Sequence, residues 1–169
     1  MVMGKKILIV HASKKGSTEE IAKAIAQELQ AAGAAVEVAG MEGATVGEDV
    51  QAVVIGAPVY AGHIVPAVVK FVAGNRPRLE KIPLAAFAVG IAPVMPQAGP
   101  VEKLLEELMK ALAPLTPVAI TMFAGKLDPG KMSFVERTMT KMLKVPTGDF
   151  RDWEAIRAWA REVAKALGA

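Results

Sequence analysis

Five short stretches of the chain are apolar at nearly every position, and most are followed by a longer stretch with apolar residues at helical spacing. The first is Lys6-Ile7-Leu8-Ile9-Val10. Ser17 to Ala32 follows, with Ile21, Ala24, Ile25 and Leu29 on one helix face. Ser17 and Glu20 have the spacing of a capping box, and Gly33 is the expected stop. Val36-Glu37-Val38 is a second, short strand near an edge. Ala52 to Gly56 is a third strand, with a helix expected from about Val65 to Val72. Leu84 to Ile91 is the fourth. Val101, Leu104, Leu105, Leu108 and Leu112 mark a helix that must stop before Pro114. Val118 to Phe123 is the fifth strand. A last helix opens at Asp152 and carries Trp153, Ile156, Ala160, Val163 and Leu167 on one stripe.

Strands without polar alternation are buried on both faces, so this order predicts a parallel sheet with helices above and below it. With right-handed crossovers, the expected fold is α/β, a three-layer doubly wound five-stranded parallel sheet of order 2-1-3-4-5. One domain over 1–169 suits the length. The stretch from about 125 to 150 exceeds an ordinary connection. In it, Met132, Val135, Met139 and Met142 are spaced like one side of an extra helix, an insertion before the last helix.

Composition narrows the chemistry. There is no cysteine, which removes disulfides, thiol catalysis and cysteine metal sites. The longest uncharged run, Ile82 to Val101, contains four prolines and two glycines and reads as a buried strand and loop rather than a membrane span. With no signal-peptide pattern at the start, the chain reads as cytoplasmic, with peripheral contact to the inner face of the membrane as a further option. A net charge of +3 does not call for nucleic acid. Positive charge gathers in two places, residues 1–23 and 126–144, each with five basic and two acidic residues.

In a doubly wound sheet, ligands lie beyond the carboxyl ends of the strands, where the strand order reverses. Ser13-Lys14-Lys15-Gly16-Ser17-Thr18 occupies that place after the first strand. Its hydroxyls, its glycine and the N–H groups of a starting helix can surround a phosphate, or else form a plain capped turn. Neither a Walker A loop nor a Gly-x-Gly-x-x-Gly fingerprint is present. The loop after the third strand contains Pro58-Val59-Tyr60-Ala61-Gly62-His63, with the only tyrosine of the chain. Tyr60 can serve as a stacking ring or as an ordinary core-edge residue. His63 suits a polar contact or a surface helix start. Val89-Gly90-Ile91-Ala92 follows the fourth strand and would act through its backbone. Receiver-type signalling is excluded, since His11-Ala12-Ser13 and Ala57-Pro58 lack the acidic residues that it needs.

Ser13, Gly16 and Thr18 after an apolar strand resemble the FMN-phosphate loop of the flavodoxins, with a difference at Lys15. The resemblance covers nearly the whole chain and implies non-covalent FMN. It places Tyr60 against the isoalloxazine ring, Gly62 near flavin N5, and the loop at 89–92 on the pyrimidine edge. Ile55-Gly56-Ala57 with Gly62-His63, Phe123-Ala124-Gly125, and Asp152-Trp153-Glu154 are most similar to the quinone-linked protoporphyrinogen oxidase branch. Unlike that branch, the chain has no basic residue beside the aromatic in Val59-Tyr60-Ala61. The resemblance implies electron transfer or FMN-dependent oxidoreductase activity, with a redox partner protein or a small-molecule electron donor or acceptor. Porphyrinogen oxidation with quinone is the alternative. The helix at 126–144 can contact a membrane surface or a quinone, or can cover the sheet with its apolar side inward.

Overall fold

The computed structural model describes residues 4–12, 16–60, 62–95 and 99–169. The parallel sheet has the order β2-β1-β3-β5-β6, built from β1 (Lys6–His11), β2 (Ala35–Gly40), β3 (Ala52–Tyr60), β5 (Leu84–Gly90) and β6 (Ala119–Ala124). This is the expected order once the two-residue β4 (His63–Ile64), antiparallel to the end of β3, is set aside. The helices are α1 (Ser17–Ala31), α2 (Ala67–Leu79), α3 (Val101–Leu112), α4 (Phe134–Met142) and α5 (Trp153–Leu167).

The continuous apolar strands divide their side chains between two cores. From β1, Ile7 and Ile9 join the α1–α5 side, while Leu8 and Val10 join the α2–α3 side. β3 and β5 alternate in the same way, with Val54 and Phe87 on the first side and Ile55 and Ala86 on the second. Each fully buried Ile, Leu, Val or Phe contributes roughly 1.5–3 kcal/mol. That is why the three central strands cannot tolerate polar residues on either face. Phe87, Phe123 and Trp159 meet at centroid distances of 5.7–6.0 Å and fix α5 to β5 and β6. Gly56 makes room for this cluster, since a Cβ there would lie 2.5 Å from the Phe87 ring.

Several local expectations change. Gly16, not Ser17, is the N-cap of α1, and among the described residues no side chain caps that end. Glu20 is instead drawn to Arg151, so the capping box does not form. α2 starts later than expected and runs on through Pro77, because Leu79 in its last turn is buried with Val68 and Val72. Pro58, Val59 and Tyr60 are strand rather than loop: Pro58 pairs with Val89 of β5, and Val59 pairs with Ile64 of β4.

The insertion leaves β6 through β7 (Lys126–Leu127), passes a 3-10 turn at Pro129–Lys131 and α4, and returns through β8 (Gly148–Asp149), antiparallel to β7. α4 has no buried residue, so it does not cover the sheet. Among the described residues, no helix is long and apolar enough to cross a membrane.

Candidate functional site

β1 and β3 are neighbours whose chains leave to opposite sides, toward α1 and α2, so a crevice opens between their carboxyl ends. The structure has a cavity of about 1000 Å³ there. His11 and Ala12 from β1, Pro58 and Tyr60 from β3, and His63 from β4 line it, together with the 40–45 segment and one side of α2. Its volume is at the upper end of the range of small-molecule and cofactor pockets, about 300–1000 Å³.

Two α2 side chains hold the outer wall. Asn75 accepts from Val46 N at 2.9 Å and donates to Phe71 O at 3.0 Å. Arg78 donates to the carbonyls of Gly47, Glu48 and Val50 at 3.2, 2.9 and 2.5 Å. A loop that would otherwise leave its backbone groups to water is thereby tied to a helix. Glu107 of α3 fixes the hairpin, accepting from Ile64 N at 3.3 Å and lying 3.4 Å from His63 Nδ1.

The helix entrance that sequence places beside a phosphate lies four residues beyond Ala12. Gly16 has φ 84°, a conformation that glycine adopts without strain, and a Cβ there would meet nothing within 4 Å. The first N–H groups of α1 have no partner inside the helix, and they sit at the positive end of its dipole. Thr18, in the first turn, is only 2% exposed. Gly125 brings this entrance to the end of β5. A Cβ on Gly125 would lie 3.0 Å from Val89 Cγ1, 3.8 Å from Ser17 Oγ and 3.9 Å from Gly90 N. Sequence sites far apart along the chain therefore converge at Ser17, Gly90 and Gly125.

The two areas do not have the same lining. Pro58, Tyr60 and His63 face the cavity; Gly16, Ser17, Thr18, Val89, Gly90, Ile91 and Ala92 are not part of its wall. Val89 and Ala92 are buried side chains, so only their backbone groups are suited to ligand contact. Tyr60 is 44% exposed, while His63 is turned mostly to solvent. Ser13, Lys14, Lys15 and Ala61 lie outside the described residues. Sequence reasoning missed His11, the 40–45 segment, Asn75 and Arg78. Only His11 left a trace, as a polar residue ending an apolar strand.

His11 carries the one orphaned polar atom found among the described side chains: its buried Nδ1 has no hydrogen-bond partner. Burial also holds its imidazole below the ordinary histidine pKa. A neutral ring with an unpaired nitrogen at the crevice is suited to a hydrogen bond with a polar ligand group. A second polar cluster stands on the other side of the helix entrance. Arg151, with a side chain only 5% exposed, makes two 2.8 Å bonds to Asp149, reaches Glu20, and lies 4.6 Å from the Trp153 ring centroid. Those guanidinium bonds hold the Asp149 carboxyl down at about 2 and the Glu20 carboxyl below its usual value.

A helix start led by a left-handed glycine, a glycine-lined approach at Gly90 and Gly125, and an adjoining crevice with a tyrosine at its rim fit a phosphorylated, flat cofactor. Residues 8–154 match the flavodoxin domain family. The chain belongs to that family. Flavodoxin membership makes it an FMN-binding, flavodoxin-like protein of the electron-transfer type.

The flavodoxin-like chain is 28% identical over 171 aligned residues to protoporphyrinogen IX dehydrogenase [quinone] of Escherichia coli strain K12, covering 94% of each. Among solved structures, a short-chain flavodoxin associated with a bacterial microcompartment superposes with a TM-score of 0.63 at 14% identity, covering 97% of both chains. Two-electron reduced Megasphaera elsdenii flavodoxin gives 0.58 at 19% identity, over 94% of this chain and 98% of that one. Those two likenesses concern the fold.

Proposed function

We propose that FMN lies across the carboxyl edge of β1, β3 and β5. Gly16, Ser17 and Thr18 hold its phosphate, Tyr60 packs on its ring system, and the backbone of 89–92 meets the ring's polar edge. The observation that carries this reading is the meeting of the α1 entrance with Gly90 and Gly125 next to the crevice that Tyr60 rims. Bound FMN supplies the capacity to take up and release one or two electrons. The protein's own part is to bind and orient it. The helix start offers N–H donors to an oxyanion, and the buried Thr18 sits in that first turn. His11, kept neutral by burial, offers a hydrogen-bonding nitrogen within the crevice. The open side of the crevice would admit a redox partner or a small acceptor to the bound cofactor.

Titration of FMN with the purified protein, followed by quenching of flavin fluorescence, tests the placement. Tyr60→Ala is expected to weaken binding about 3–10-fold, the worth of an aromatic stack beyond its buried area. Thr18→Ala is expected to weaken it about tenfold, the loss of one hydrogen bond to a charged group. Unchanged affinity in both variants would put the pocket elsewhere.

A second reading is quinone-linked oxidation of a porphyrinogen. It is favoured by the similarity to the E. coli dehydrogenase along 94% of both chains. Consumption of protoporphyrinogen with a quinone, measured against free FMN, tests it; a rate no higher than that of the free flavin removes it.

A further inference from the structure

We propose that α4 docks on an anionic lipid bilayer through its outward apolar face. The helix is turned inside out relative to a helix that covers a core. Met132, Glu136 and Thr140 share the half-buried side, and Thr140 Oγ1 donates there to Glu136 O at 2.7 Å. Beside it, Phe134, Val135, Met139 and Met142, with the C-cap Leu143, are exposed by between 51% for Met139 and 76% for Phe134. Five large apolar side chains on one short helix form a contiguous patch, and patches of that kind mark interaction surfaces.

The helix does not owe its form to packing. Ser133 Oγ accepts from Glu136 N at 3.1 Å, and Glu136 accepts from Ser133 N at 3.3 Å. At the other end Lys144 adopts φ 54° and Val145 N reaches back to Thr140 O at 3.0 Å. Both ends are satisfied locally, so the apolar arc is free to face outward.

Charge selects the occupant. Arg137 and Lys141 lie one turn apart along the edge of the arc beside Phe134, and Lys144 stands at its end. These three side chains have no ion-pair partner among the described residues. The nearby acids are engaged locally: Glu136 in the capping box and Asp128 on Gly130 N. A second copy of the chain would set these cations against themselves. An anionic bilayer satisfies both the apolar arc and the cationic edge, as interfacial helices do. A nine-residue helix is about 13 Å long, so neither contribution is large alone and binding needs both.

The insertion is rooted at the same edge as the crevice. Phe150 N donates to Gly125 O at 3.1 Å, and Arg151 ties the returning chain to Glu20 of α1. Docking through α4 therefore brings the carboxyl edge of the sheet toward the lipid. The proposal goes beyond the redox reading and does not depend on it, because lipid contact needs no flavin.

Sedimentation with vesicles of phosphatidylcholine plus phosphatidylglycerol, against phosphatidylcholine alone, tests it, with and without added FMN. The protein is expected to bind the anionic vesicles and to be released by salt. Arg137→Glu with Lys141→Glu is expected to lower partitioning about tenfold or more. Phe134→Ser with Met142→Ser is expected to do the same, with thermal unfolding and FMN quenching unchanged since both positions are exposed. Absence of binding to either vesicle overturns the proposal. So does equal binding of the Phe134→Ser, Met142→Ser variant, or a dimer in sedimentation velocity that this variant dissociates.

Discussion

α4 and α5 have similar patterns in the sequence and opposite fates in the structure. Both are amphipathic, both are capped by a side chain, and both follow β6. α5 buries Ile156, Ala160, Val163 and Leu167 against the sheet and α1, whereas α4 buries nothing. The difference is in what surrounds them. α5 is 15 residues long and lies over a sheet face that would otherwise be open, with Trp159 between Phe87 and Phe123. α4 is held away by the β7–β8 stem, and its polar side faces the protein. Periodicity shows that an apolar face exists; it does not show what that face meets.

The largest effect should separate the two helices directly. Ile156→Ala is expected to cost about 2–5 kcal/mol in denaturant unfolding, the price of a buried cavity. Met142→Ala should change stability by no more than about 0.5 kcal/mol. A comparable loss in both would mean that α4 packs as α5 does.

The stem comes next. Arg151→Ala is expected to cost about 2 kcal/mol, since it removes charge-assisted bonds to Asp149 and Glu20 that are partly screened by solvent. Acid gives the same test without mutation. Both carboxyl groups titrate lower folded than unfolded, so their stabilisation is present above the ordinary carboxylate range and is lost as pH falls below it, for Asp149 down toward about 2. Wild type should lose stability across that window more steeply than Arg151→Ala. Parallel acid curves for the two would show that the cluster contributes nothing.

The smallest effect concerns the end of α4. Lys144 sits in a left-handed conformation that glycine adopts more cheaply, so Lys144→Gly should gain about 0.5–1 kcal/mol for the local helix. Helical content by circular dichroism would report it. The same change should weaken vesicle binding, because it removes a cation.

The central sheet was legible because β1, β3 and β5 are buried on both faces, and burial forces an unbroken apolar run. The two-residue strands β4, β7 and β8 were not, since pairs such as His63-Ile64 carry no periodicity. The end of α2 was hidden by Gly74 and Pro77, although Leu79 continues the stripe of Val68 and Val72. At the site, Gly16 and Tyr60 stood out by residue type and position. Asn75 and Arg78 did not: their role is to bind backbone across 28–31 residues of sequence, and ordinary surface helices carry such residues too. The Ser17–Glu20 pair looked like a capping box, yet Arg151, 131 residues beyond Glu20, claims the carboxylate. A distant charge prevailed over a local spacing.

The proposed FMN site depends above all on the α1 entrance holding the cofactor's phosphate. Comparing FMN with riboflavin, which lacks that phosphate, in parallel fluorescence titrations of the wild-type protein tests it most directly. Strong quenching of FMN is expected, with riboflavin binding weaker by about tenfold or more, the worth of one or more charge-assisted bonds at a helix start. Equal affinity for the two flavins, or quenching of neither, would contradict it.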